Sequence, residues 1–174
     1  MIGGGRLNQA GYKHRYGALR DDSAYLMVAS AFSINAERGR DFGVNSRLNA
    51  ERCNATYHQL LAEEAKHEDS VEVMSIVTLN GTHSEITKAA FNAGIHVICE
   101  KPLFFTTAEA LEIETLAAAK EPIVGVTYGF SGHPLLMQMR AMNANGEIGD
   151  VRMVDERLGA LHIVGRAESW VTAI

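Results

Sequence analysis

Short apolar runs alternating with capped, amphipathic stretches constrain this chain more than any other feature. Four runs, at residues 24–32, 71–79, 95–99 and 123–127, are rich in Val and Ile and apolar almost throughout. A strand with one wet face would alternate polar and apolar residues, so these read as parallel strands covered on both faces. Between them lie helix-start signals. Thr82-His83-Ser84-Glu85 has the capping-box spacing, in which hydroxyl and carboxylate each satisfy a free amide. Ile86, Ala89, Ala90 and Ala93 then recur at helical spacing, and Gly94 stands where a helix end favours a left-handed residue. Residues 106–109 repeat the capping pattern ahead of Ala110, Ile113, Leu116 and Ala117. Tyr57, Leu60, Leu61 and Ala65 form a third stripe. All three stripes are assigned to core packing. Strands alternating with helices imply right-handed crossovers, hence an α/β fold with a doubly wound parallel sheet.

A glycine loop occupies the first strand-to-helix turn of that sheet, at Gly3-Gly4-Gly5-Arg6-Leu7-Asn8. In a dinucleotide-binding turn the first glycine permits the tight bend and the second lets the backbone approach the pyrophosphate. The third lets the helix pack closely. Asn8 stands at the third position here, and the next small residues are Ala10 and Gly11. Amides around Asn8 and Gln9 are expected to point at the phosphates. An acidic residue is expected about 20 residues later, holding the ribose hydroxyls. Ser33 stands there instead, with Glu37 and Arg38 following. Arg38 can pair with a 2′-phosphate; equally, Ser33 can cap the next helix and leave Arg38 solvated. NAD and NADP both stay open.

Glu100-Lys101-Pro102 directly follows the run at 95–99. Ligands of open α/β sheets bind outside the carboxyl ends of the strands, which places Lys101 to reach a substrate hydroxyl beside a nicotinamide. Pro102 fixes the backbone as it leaves the strand.

Ala93-Gly94-Ile95-His96-Val97-Ile98-Cys99-Glu100-Lys101-Pro102 resembles the glucose–fructose oxidoreductase and inositol dehydrogenase (Gfo/Idh/MocA) family. Met1-Ile2-Gly3-Gly4-Gly5, Thr78-Leu79-Asn80-Gly81-Thr82-His83, Gly125-Val126-Thr127-Tyr128 and Gly146-Glu147-Ile148-Gly149-Asp150-Val151-Arg152 extend the resemblance. It implies a Rossmann domain, NAD or NADP as cofactor, and hydride transfer to or from a sugar, polyol or related hydroxyl compound. By position, Lys101 resembles the lysine that orients the substrate and assists proton transfer. Thr78, Asn80 and His83 match the loop lining the cofactor, with Leu79 replacing its usual proline. Glu100, Lys101 and Pro102 complete the implied cofactor set with Gly3, Gly4, Gly5, Asn8, Gln9, Ser33 and Arg38. A cis Lys101–Pro102 bond is also implied, cis bonds being essentially a proline property.

The family's second domain supplies a histidine to the proton relay; His162 is a candidate by chemistry alone. His14, His58, His67, His96 and His133 show no metal-ligand spacing with cysteines or carboxylates, so no metal is expected. They are assigned surface or helix-flanking roles.

Length and charge bound the rest. The 174 residues suit one domain plus a fragment of another. Turn signals at Asn145-Gly146 and Gly149 place a boundary near Asp150, with 1–150 binding dinucleotide. Residues 151–174 would then begin a truncated α+β substrate or dimerisation domain, its first strand opening at 151–154. A net charge of −5 without a basic run argues against nucleic acid. No apolar run approaches the ~20 residues that span a bilayer. The start lacks the basic and apolar segments of a signal peptide. Cys53 and Cys99 read as free thiols, which suits the cytoplasm. Only Met1 and Ile2 precede the glycine loop, whereas strands average ~5–6 residues. The first strand is therefore expected to be nearly absent, leaving neighbours unpaired at ~1–3 kcal/mol per buried group. Either the chain begins earlier or the sheet is completed otherwise, for instance by another subunit in a homo-oligomer. A non-catalytic dinucleotide-binding module is the alternative to a dehydrogenase.

Overall fold

The computed structural model describes residues 1–6, 8–20 and 25–153. Its first compact unit is Met1–Gly129, and a second begins at Phe130. The first unit runs β1 (Ile2–Gly3), α1 (Gln9–Ala18), α2 (Ala36–Asn45), α3 (Tyr57–Glu64), β2 (Val73–Val77), α4 (His83–Asn92), β3 (His96–Cys99), α5 (Thr107–Lys120) and β4 (Val124–Val126). All four strands are parallel, in the order β1-β2-β3-β4. Parallel bridges Ile2↔Ala31 and Ser30↔Cys53 continue the sheet past β1 on its other edge. The chain therefore leaves β1 toward one flank and returns through β2 on the other, which makes β1 the switch point where open α/β sheets bind ligands.

Short as it is, β1 is bonded along both edges. Met1 N donates to Ala29 O at 2.8 Å, Ala31 N to Met1 O at 2.9 Å and Gly3 N to Ala31 O at 2.9 Å. On the other side Ile2 and Gly3 pair with Ile76 and Val77. The expectation that so short a strand leaves its neighbours bare is corrected at these positions. The run expected as a strand at 24–32 shrinks to the bridges at Ser30 and Ala31. Its edges explain this: β1 offers only a short partner, and Arg52–Asn54 on the far side supplies only two bonds, Ser30 N to Arg52 O and Asn54 N to Ser30 O.

Two of the helix-end readings hold, and one does not. Thr106 and Glu109 form a reciprocal capping box on α5. Gly94 has φ +75°, with Ile95 N on Ala90 O and Gly94 N on Phe91 O, the Schellman pattern. Thr82, by contrast, makes no side-chain cap on α4. Residues Asn80–Thr82 form a 3₁₀ turn first, and the Thr82 hydroxyl turns back to Leu79 O at 2.8 Å and Thr78 Oγ1 at 2.7 Å.

The main core lies where α3, α4 and α5 meet the sheet: Leu60, Ile86, Ala90, Phe91 and Ile113 against Met74, Ile76, Val97 and Cys99. Phe91 is fully buried, a placement worth ~1.5–3 kcal/mol. Ala65 and Ala93 fall at the exposed ends of their stripes. A smaller cluster of Met1, Phe32, Leu48, Cys53 and Val77 packs the other face. Both cysteines are free and buried.

The second unit carries α6 (Pro134–Ala144), which begins with His133 Nδ1 accepting from Leu135 N and Pro134 in the first turn. Gly146 and Gly149 follow at φ +73° and +70°. Residues 151–153 form no strand. Most of the 151–174 segment, from 154 on and including His162, lies outside the described residues.

Candidate functional site

At the carboxyl edge of the sheet the backbone leaves no room for side chains. Gly3 and Gly4 take φ +70° and +73°, a region costly for any residue with a Cβ. A Cβ on Gly3 would stand 2.5 Å from Val77 O, and one on Gly5 3.1 Å from Phe32 O. The close helix contact expected of a third glycine falls to Gly11, where a Cβ would collide with Gly4 O. Asn8 thus serves as the cap of α1, its Oδ1 accepting from Gly11 N at 2.8 Å. With that amide taken, those of Gln9 and Ala10 are the first-turn donors without an intrahelical partner. The Arg15 guanidinium donates to Gly4 O and lies over the Phe32 and Phe42 rings at 5.8 and 4.9 Å. The loop is a side-chain-free cradle at a helix start, which fits a pyrophosphate.

The next loop carries the second group of candidates. Ser33 does not cap α2; its Oγ accepts from Asn35 N at 3.1 Å, and Asn35 Oδ1 caps the helix through Arg38 N. The Arg38 side chain is exposed.

Strand register brings the remaining candidates level with the cradle. Gly3 pairs with Val77, Ile76 pairs with Cys99, and Glu100 N continues the ladder to Ile76 O at 2.9 Å. Thr78, Leu79, Asn80 and Glu100-Lys101-Pro102 therefore leave the sheet on the same edge as Gly3-Gly4-Gly5. Leu79 is exposed and Asn80 half-buried. His83 is fully buried, its ring nitrogens 2.9 Å from Pro102 O and 3.3 Å from Thr78 O. It braces the two loops from beneath rather than lining their surface. The Lys101–Pro102 bond is cis, and Lys101 is exposed at the rim.

One side chain assigned a surface role lies inside instead. His14, on α1, has a side chain only 6% exposed. Its Nδ1 is 2.8 Å from Ser75 Oγ on β2, and its Nε2 is 3.2 Å from Glu100 Oε1. Glu100 Oε2 accepts the Lys101 amide at 3.1 Å. Burial pushes the imidazole below its ordinary 6.5, against the bond to Glu100, which raises it. Burial next to Glu100 pushes the Cys99 thiol up to about 12, so it is no nucleophile near neutral pH. Gly11 and His14, three apart on one helix face, were the local signal; nothing local pairs His14 with Ser75 or Glu100.

Among the described residues no three His, Cys, Asp or Glu side chains gather to hold a metal ion, and no helix is long and apolar enough to cross a membrane.

Comparison with known proteins matches this architecture. The chain is 64% identical over 155 residues to the uncharacterized oxidoreductase YfiI of Bacillus subtilis (strain 168), covering 89% of this chain and 39% of that protein. It is 30% identical over 122 residues to 1,5-anhydro-D-fructose reductase of Ensifer adhaerens, covering 70% and 34%. A crystal structure of an inositol dehydrogenase homolog from Azotobacter vinelandii, complexed with NADH and myo-inositol, superposes with a TM-score of 0.85. Identity to it is 49%, over 87% of this chain and 40% of that one. The chain thus spans between a third and two-fifths of the length of these relatives. The profile of the GFO/IDH/MocA oxidoreductases, NAD-binding Rossmann fold, matches residues 1–128, and the chain belongs to that family.

Proposed function

We propose that the protein transfers hydride between a nicotinamide dinucleotide and a hydroxyl-bearing carbon of a sugar or polyol, with Lys101 facing the substrate. The observation that carries this reading is the placement of Lys101, exposed and level with the glycine cradle at the switch point of the sheet. In support, the Azotobacter homolog is complexed with NADH and myo-inositol. Gly3, Gly4, Gly5, Asn8 and Gln9 would hold the pyrophosphate, with Ser33 and Arg38 beyond them toward the ribose. Thr78, Leu79, Asn80, Glu100 and Pro102 would line the approach to the nicotinamide, and His83 would keep the two loops together. When bound, the nicotinamide supplies the hydride acceptor or donor. The amine of Lys101 orients the substrate oxygen and assists in moving its proton. Residues 151–174 would begin the substrate domain, and free buried thiols suit a cytoplasmic protein.

Titration with NADH and NADPH, followed by turnover on a polyol panel, tests the reading. Lys101→Ala is expected to lower turnover by roughly 10²- to 10⁴-fold, the span of positioned acid–base groups, with a much smaller effect on NADH binding, to which it adds one contact among many. Undiminished turnover in that variant would remove Lys101 from the chemistry. Tight NADH binding with no polyol turned over would favour a dinucleotide-binding module.

A further inference from the structure

The Ser75–His14–Glu100 chain joins three elements that the cofactor edge needs in register. Ser75 lies inside β2, paired with Ile98 of β3; it is held within the sheet and is not offered to a substrate. A carboxylate only accepts hydrogen bonds, so the His14 nitrogen facing Glu100 carries the proton. In the neutral imidazole the other nitrogen, Nδ1, accepts from the Ser75 hydroxyl. The result is a directed chain: Ser75 donates to His14, and His14 donates to Glu100. Both Glu100 oxygens are engaged, one by His14 and the other by the Lys101 amide. His14 also lies on the helix that follows the cradle, one turn beyond Gly11, whose backbone abuts Gly4.

We propose that His14 is a positioning residue: anchored by Ser75, it fixes Glu100 and through it the backbone at Lys101, so that α1 sets the distance between the phosphate cradle and the lysine. The inference rests on the reading of Lys101 as the substrate-facing lysine. A histidine that merely filled space would need neither polar partner, yet both nitrogens have one and the side chain is almost entirely enclosed. Glu100 and, on its own helix, Arg15 are the charged groups that act on His14; β2 contributes only the neutral Ser75.

Three measurements decide it. Nitrogen-15 spectra of the imidazole should show the Nε2-protonated neutral form at neutral pH, and a proton on Nδ1 instead would overturn the proposal. Amide exchange at Lys101 should quicken by about tenfold or more in His14→Phe, which keeps the bulk and loses both bonds. In His14→Gln, which keeps an N–H donor, exchange should return toward the native rate. Equal exchange in His14→Phe and the native protein would reduce His14 to packing. In polyol oxidation, His14→Phe should lower kcat by about 10²-fold, the cost of misplacing a reacting group by an ångström. NADH affinity should hold, because the cradle is untouched, and His14→Gln should recover most of the loss. If the native protein binds NADH but oxidises no polyol, the functional reading fails, and exchange at Lys101 still decides whether His14 positions it.

Discussion

Two buried polar networks serve opposite ends of the sheet. Toward the amino ends of β2 and β3, Arg52 reaches Glu64 Oε1 at 3.0 Å through Nε and Asp69 Oδ2 at 2.8 Å through a terminal nitrogen. Glu64 lines a cleft there with Val71, Glu72 and Ile95, the residues leading into those strands. Toward the carboxyl ends, His14 reaches Ser75 and Glu100. The first network is made of full charges: the Arg52 and Glu64 side chains are 10% and 2% exposed, and Glu64 raises the arginine pKa. The second has at its centre a group whose charge burial opposes. A pair of formal charges fixes a helix against a loop by direct attraction. A chain through a neutral imidazole fixes its partners only while the proton stays where it is. Placing the second kind beside the cradle ties that edge of the sheet to the protonation of one imidazole.

The largest expected effect attacks the charged network. Glu64→Ala leaves a buried guanidinium with only Asp69 to balance it, which should cost ~3–5 kcal/mol in urea unfolding. A loss below about 1 kcal/mol would mean the pair behaves like a surface bridge, and the contrast would collapse.

Acid should separate the two networks next. The folded pKa of His14 lies below the unfolded 6.5. Between those values the unfolded chain binds more protons, so stability is full above 6.5 and falls as the pH drops. Asp69 acts in the same direction but in a lower window: Arg52 holds its carboxyl below the ordinary 3.8. Its contribution is present above 3.8 and is lost only as the pH falls further. Urea midpoints followed into acid should therefore decline through the His14 stage first, with only a small further step from Asp69 below 3.8, and His14→Gln should erase the upper stage alone. A single stage shared by both proteins would refute the assignment.

The smallest effect is expected at Asp69→Asn. The Asp69 side chain is 72% exposed, and water screens such a pair. Its midpoint at neutral pH should barely move; a loss rivalling that of Glu64→Ala would make Asp69 an equal member of the network.

How much of this was legible in the sequence follows the range of the interactions. Gly94, the Thr106–Glu109 box and the glycine loop were readable because each depends on residues a few positions apart. β2 and β3 were readable because strands inside the sheet leave mostly apolar runs, and β4, an edge strand only half-buried, because two valines remain in it. The run at 24–32 misled because its pairing is set by how much edge β1 and Arg52–Asn54 present. Thr82 misled because a hydroxyl with the right spacing found Leu79 O first. At the site, the Glu100-Lys101-Pro102 block stood out, but the residue that organises it did not. His14 meets partners 61 and 86 positions away, and no periodicity reports a contact of that length.

The pairing of β1 has a mechanical meaning. Among the described residues, strand hydrogen bonding joins the two flanks of the sheet only through Met1, Ile2 and Gly3, so the narrowest seam of the ladder runs directly under the cradle. A molecule seated across that seam would rest on both flanks and act as a clasp. Ligand that binds the folded chain and not the unfolded one stabilises it by mass action, so occupancy would stiffen the very border on which the site is built.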